Sequence, residues 1–123
     1  MSVIVLVEDN ELNRDMLSRR LTRRGHKVVC AGDGLEALSV VAQEQPDVVL
    51  MDLGLPVMDG WEATRRLKAD PATAPIPVIA LTAHALSTDR DLAMAAGCVA
   101  FETKPVELER LLACIDTVLG KSA

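Results

Sequence analysis

The sequence predicts an α/β fold, a five-stranded parallel sheet in the order 2-1-3-4-5 with helices on both faces. Three observations predict it. Apolar runs rich in β-formers alternate with amphipathic stretches of helical length. The runs are apolar throughout, as strands covered on both faces must be. The alternation is strict, with no linker, repeat or low-complexity segment to divide it, so one doubly wound sheet buries all of it. Among doubly wound orders 2-1-3-4-5 suits five strands, and it opens a crevice beyond the C-terminal ends of strands 1 and 3, where the winding reverses.

The elements follow in order. "VIVLV" (3–7) is the first strand, and Asn10 caps a helix near 11–24 that Gly25 ends. "KVVCA" (27–31) leads to Asp33, whose D-x-x-E box with Glu36 starts a helix at 34–44. "DVVLM" (47–51) precedes Asp59, which with Glu62 starts a helix at 60–69. Asp59-Gly60 has the composition of a hairpin turn, but "WEATRRLK" after it has helical spacing. "PVIAL" (77–81) is followed by a helix near 86–96 with Ser87 as its cap and Gly97 after it, and "CVAF" (98–101) by a helix near 106–119 that Pro105 opens.

At 123 residues the chain suits one domain, residues 1–123. Trp61 and Phe101 are its only aromatics, so aliphatic residues and Met must fill the core, and stacking surfaces for single-stranded nucleic acid are missing. The net charge of −5 likewise argues against DNA binding by this chain alone. Six of the thirteen basic residues nevertheless fall between Arg14 and Lys27, either as a solvated helix face or as a patch for an acidic partner. Cys30, Cys98 and Cys114 have no ligand spacing and are expected as buried free thiols of a reducing compartment. No stretch approaches the roughly 18 apolar residues of a membrane span, and "MSVIVLVEDN" meets acid too early for a signal peptide. A soluble, cytoplasmic protein with no membrane contact is expected.

The strand ends carry the chemistry. Glu8-Asp9 follows strand 1, Asp52 strand 3 and Thr82 strand 4, while strand 5 runs on through "ETK" to Lys104. Strand 2, at the sheet edge, ends in Cys30-Ala31 with nothing comparable. Two carboxylates about 5 Å apart, at an effective dielectric near 20, repel by on the order of 3 kcal/mol. An all-oxygen cluster suits a hard divalent cation such as Mg²⁺, and Lys104 adds a fixed positive charge. Metal and lysine around one carboxylate form a clamp for a phosphoryl group, which makes Asp52 the candidate nucleophile and Thr82 a donor to the transferred group. Each residue alone has an ordinary reading as a turn, cap or connector. The joint arrangement does not.

With "VLVEDN" (5–10), "LMDLGLPVMDG" (50–60), "IALTAHA" (79–85) and "FETKPV" (101–106) in this order, the sequence resembles a response-regulator receiver domain of two-component signalling, flavodoxin-like and CheY-like in fold, over essentially the whole chain. The resemblance implies that Asp52 is the phospho-acceptor, that Asp9, Asp52 and the Gly54 carbonyl bind Mg²⁺, and that Glu8 holds a water on the metal. It assigns phosphoryl contacts to Lys104, the Thr82 hydroxyl and the N–H groups of Leu53 and Ala83. It implies a histidine kinase or histidine phosphotransfer protein as donor and a downstream target protein as reader. It also implies a switch in which Thr82 moves inward and Phe101 turns, although Phe101 reads equally as core packing. Leu12, Met16 and Pro105 are candidate partner contacts, with core packing the rival reading for Met16.

The chain departs from the family pattern in places. Phe101 stands where tyrosine is frequent, so a switch there works through packing alone. Gly54 and His84 occupy positions that influence attack by water, and His84 reads equally as a solvated loop residue. "AGCVAFETK" lacks the paired acids of many transcription-factor receivers, so a monomer is expected, able to associate on phosphorylation. Ending at Ala123, the chain is expected to signal by binding or phosphorelay, with slow autodephosphorylation as its only further reaction. Three other functions compete. An aspartate-nucleophile phosphohydrolase wants a second acid where Gly54 stands; a flavodoxin-like electron carrier wants aromatics and a phosphate loop; a scaffold receiver would not need the full acid, hydroxyl and lysine set.

Overall fold

A computed structural model describes residues 2–83 and 87–120, the side chains of 87–89 excepted. Among these residues the strands are β1 (Val3–Val7), β2 (Lys27–Ala31), β3 (Val48–Asp52), β4 (Val78–Thr82) and β5 (Ala100–Thr103). The helices are α1 (Glu11–Arg23), α2 (Gly34–Glu44), α3 (Gly60–Ala69), α4 (Ser87–Ala96) and α5 (Leu108–Val118). The strands form one parallel sheet in the order β2-β1-β3-β4-β5, as the sequence predicts.

Strand parity sorts the core into two layers. Val48 and Leu50 face a cluster with Leu21 of α1 and Leu111 and Ile115 of α5. Val49 and Met51 face the opposite cluster, with Ala37 and Val41 of α2, Ala63 and Leu67 of α3 and Ala93 of α4. Both layers are needed because every residue of β3 is buried, and each such Leu or Val contributes roughly 1.5–3 kcal/mol by leaving water.

Side-chain caps hold the helix starts as expected: Asn10, Asp33 and Asp59 accept from the N–H groups of Asn13, Glu36 and Glu62 at 2.9, 2.8 and 2.9 Å. The boundaries differ in four places. The Asp47 carboxylate accepts from the Val3 N–H at 2.7 Å, so Asp47 latches β1 and β3 begins after it. Pro77 has no N–H for the ladder, and β4 begins at Val78. Cys98 N–H closes the end of α4 on the Ala93 carbonyl at 3.1 Å, which delays β5 to Ala100. The last helix is capped by Glu107, which accepts from Arg110 N–H at 2.9 Å, and so starts at Leu108; Pro105 lies in the connection before it. Of the three free cysteines only Cys98 is buried, whereas Cys30 and Cys114 are half-buried.

The loop between β3 and α3 is drawn tightly against the sheet. A Cβ on Gly60 would lie 2.3 Å from the Asp52 carbonyl oxygen, so only glycine lets α3 start there. Val57 in the same loop has φ 66° with its side chain 82% exposed. Left-handed backbone costs a β-branched residue about 1–3 kcal/mol, and a residue this exposed regains little of that by burial. Val57→Gly is therefore expected to raise the unfolding free energy by about 1 kcal/mol in urea titration, after allowing for the extra freedom of glycine in the unfolded chain. A loss of stability would mean that the valine side chain is held by contacts after all.

Candidate functional site

The rim at the C-terminal ends of β1 and β3 gathers the acids. Glu8 and Asp52 are buried, Asp9 is exposed, and one carboxylate oxygen of each lies within 4.8 Å of the others. Each is fixed by backbone around it. Glu8 N–H continues the pairing with β2 by donating to the Ala31 carbonyl at 3.0 Å, and its own carbonyl accepts from Arg14 Nη1 at 2.9 Å. Glu8 Oε2 accepts from the Asn10 N–H at 3.2 Å. Asp52 is the last residue of β3, paired with Leu81.

Lys104 closes the rim from the other side. Its N–H donates to the Thr82 carbonyl at 2.6 Å, which pins the start of the β5–α5 connection to the end of β4. Its Nζ bridges two strands, donating to Glu8 Oε1 at 2.8 Å and to Asp52 Oδ2 at 2.9 Å. Burial works against the ammonium, but the bonds and charges of Glu8 and Asp52 outweigh it and hold the Lys104 pKa above its ordinary value. For Glu8, burial comes first and raises the carboxyl; the Lys104 bond lowers it, and the neighbouring Asp52 raises it again, leaving it above the ordinary glutamate value.

The raised Glu8 pKa has a measurable consequence. The folded chain binds this proton more tightly than the unfolded chain, so the stability it contributes is complete below the ordinary glutamate pKa and is lost as pH rises through the folded value. The Lys104 contribution is lost only above the ordinary lysine range, well clear of that window. In chelator, the melting temperature of the wild type relative to Glu8→Gln is expected to fall on going from about pH 4 to neutrality. A constant difference across that range would show that the carboxyl titrates normally.

Backbone donors around Asp52 depart from the expectation in one respect. Leu53 N–H extends the sheet by donating to the Leu81 carbonyl at 3.0 Å, so it is engaged in the ladder and does not face the carboxylate. Gly54 N–H takes that place, donating to Asp52 Oδ1 at 3.0 Å. Thr82 is buried at the end of β4, and Ala83 beside it is exposed and lines the cleft next to Glu8 and Lys104. Thr82 shares the parity of Ala80, so it lies on the same sheet layer as Phe101, which is half-buried and packed on the α2–α3–α4 cluster. His84 lies outside the described residues.

At the periphery Leu12 is 80% and Met16 48% exposed, which removes the core-packing alternative for Met16. Met16 and the exposed Pro105 line a cleft of about 470 Å³ that runs from Glu8 and Lys104 between α1 and α5. Arg14 was not singled out from its fellow cations by the sequence reading. Its spacing with Leu17 and Leu21 was the available signal, since residues 14, 17 and 21 share the inward face of α1.

Chemically the rim is a hard-oxygen donor set with more negative than positive charge. Lys104 touches two of the three carboxylates, so a small divalent cation suits the remainder. Residues 4–116 match the family model of the response regulator receiver domain. The chain is 38% identical over 117 residues to the polar-differentiation response regulator DivK of Brucella anthropi, covering 95% of each. It superposes with TM-score 0.90 and 35% identity on the receiver domain of a sensor histidine kinase of Pseudomonas aeruginosa, covering 97% of this chain and 98% of that one, and that structure holds a magnesium ion in its active-site cleft. A TM-score of 0.90 at 29% identity relates it to the chemotaxis protein CheY4 of Vibrio cholerae, with 96% of this chain and 98% of that one covered.

Proposed function

The chain belongs to the response regulator receiver domain family of two-component signalling, and from that premise we propose that Asp52 accepts a phosphoryl group from the phosphohistidine of a kinase or phosphotransfer protein. The observation that carries this reading is the Lys104 ammonium held between Glu8 and Asp52, within the same oxygen cluster as Asp9. An Asp52 oxygen forms the new P–O bond as the P–N bond breaks, and the electron pair of that bond stays on the departing imidazole. Lys104, already beside Asp52, neutralises charge on the transferred oxygens, and the Thr82 hydroxyl and the Gly54 and Ala83 amides are assigned as hydrogen-bond donors to them, which Gly54 supports by already donating to Asp52. Glu8, Asp9, Asp52 and the Gly54 carbonyl are the residues that would hold Mg²⁺, which when bound supplies a divalent counter-charge.

The modified Asp52 adds up to about two negative charges at the rim. Thr82 and Phe101, on one sheet layer, are the residues through which that charge alters the face of α4, β5 and α5, shifting a two-state equilibrium that a downstream protein reads. Leu12, Met16 and Pro105 are the exposed surface beside the acids on which the donor seats. Residues 1–123 act as one receiver unit in the cytoplasm, a signalling element with slow loss of the phosphoryl group as its only further reaction. No helix of the described residues is long and apolar enough to cross a membrane. Incubation with acetyl phosphate and Mg²⁺ tests the proposal: intact mass is expected to rise by one phosphoryl group, and to stay unchanged in chelator. An unchanged mass with Mg²⁺ present and the protein folded overturns it.

A further inference from the structure

We propose that α2 and the loop before α3 form a docking face for a basic amphipathic helix of another protein, whose apolar side covers Leu35 and Val57 while its Lys or Arg residues meet Asp33, Glu36 and Asp59. The inference goes beyond the receiver reading and does not depend on it. The face is also separate from the cleft beside Lys104. α2 packs on the sheet layer that holds Ala37 and Val41, whereas the cleft is lined by Leu17 and Leu81 of the opposite layer.

A close approach brings the apolar residues together. A Cβ on Gly34 would lie 2.1 Å from the Met58 carbonyl oxygen, so the first turn of α2 sits directly on the loop. Leu35 follows Gly34 and Val57 precedes Met58, which makes the two residues neighbours across that contact. Leu35 is 54% exposed, and Val57 is more exposed still. From Leu35 the outer side of α2 continues through Ser39 and Ala42, exposed and uncharged at helical intervals. Side chains this small let a second helix approach closely. Val57 holds its left-handed backbone without burial, and strain of that kind gathers at clamps and contact regions.

Charge identifies the occupant. Residues 28–64 contain no Lys, Arg or His, yet they hold seven of the 18 acids. Asp33, Glu36 and Asp59 each lie within two residues of Leu35 or Val57, and among the described residues none of them forms an ion pair. The cations nearest in the fold or in the chain are engaged elsewhere. Arg14, which reaches toward Gly32, donates to the Glu8 carbonyl at 2.9 Å, and Arg65 and Arg66 are held by Glu62. The face is therefore apolar at its centre and negative at its border, which complements a helix with Leu on one side and Lys or Arg beside it. The same field repels nucleic acid and anionic lipid.

The test uses a fluorescein-labelled peptide of about 18 residues, long enough to be helical, with Leu on one face and Lys on the other, and a control with Glu in place of Lys. Mg²⁺ in the buffer keeps the lysines from the acids of the rim. By fluorescence anisotropy the Lys peptide is expected to bind at least about tenfold more tightly than the Glu peptide at about 0.02 M salt, with the gap narrowing by about 0.3 M. Its binding should shift the amide NMR resonances of residues 33–39 and 57–59. Leu35→Gln/Val57→Gly should weaken it about tenfold while circular dichroism stays unchanged. Glu36→Lys should weaken it at low salt and matter less at high salt. Equal binding of the two peptides, resonance shifts confined to other elements, or full affinity in Leu35→Gln/Val57→Gly overturns the proposal. Two other occupants would also overturn it. Concentration-dependent self-association in ultracentrifugation that Leu35→Gln/Val57→Gly abolishes would assign the face to a second copy of this chain. Retention on phosphatidylcholine vesicles that the same variant abolishes would assign it to a membrane.

Discussion

Asp52→Asn is expected to remain folded and to lose phosphorylation completely. The amide is nearly isosteric with the carboxylate and can keep the Gly54 bond, which enters at 3.0 Å; Lys104 loses its Asp52 acceptor but keeps Glu8, so any adjustment stays local to that ammonium. What disappears is the nucleophile, because an amide oxygen lacks the charge that attacks phosphorus. Intact mass after acetyl phosphate and Mg²⁺ is the check, with circular dichroism as the folding control. Phosphorylation of the variant at the wild-type rate would mean that the acceptor is another residue, and the exposed Asp9 would be examined first.

Lys104→Met is expected to cost about 2–3 kcal/mol of stability in chelator, a discount on the 3–5 kcal/mol typical when one partner of a buried pair is removed, since Lys104 is itself partly exposed. The reason is the charge left behind. Glu8 and Asp52 are almost wholly buried and would face each other with no ammonium between them. A ligand that binds only the folded state stabilises it by about 2.7 kcal/mol at a hundredfold excess over its dissociation constant. Mg²⁺ should therefore restore much of the loss and should raise the midpoint of the variant more than that of the wild type. Urea titrations with and without Mg²⁺ measure both effects. A variant as stable as the wild type in chelator would show that the carboxylates do not depend on Lys104 for balance. Phosphorylation should also slow sharply, since the cation beside the transferred oxygens is gone.

Sheet order, both-face coverage and three helix caps were legible because they depend on local pattern: unbroken apolar runs, helical spacing, and Asn or Asp placed before a helix. The acids at the rim were legible because the order 2-1-3-4-5 puts the ends of β1 and β3 side by side. Other features depend on tertiary events that a linear sequence does not display. Whether Leu53 or Gly54 turns its N–H toward Asp52 depends on β3 and β4 pairing for one more rung, which takes the Leu53 amide to Leu81. The start of β5 was misplaced because Cys98 N–H is claimed by the end of α4. Met16 has a core-like side chain, yet α1 turns residues 14, 17 and 21 inward and leaves 16 outside. The inward place of Arg14 was readable from that same period and was masked by its cationic neighbours.

Strand parity puts the cleft and the aromatic ring on opposite sides of the sheet. The cleft beside Lys104 opens between α1 and α5, whereas Phe101 is seated against the layer built from α2, α3 and α4. On the receiver reading proposed above, a donor would meet the side of the sheet that carries α1, and Phe101 would respond within the opposite layer.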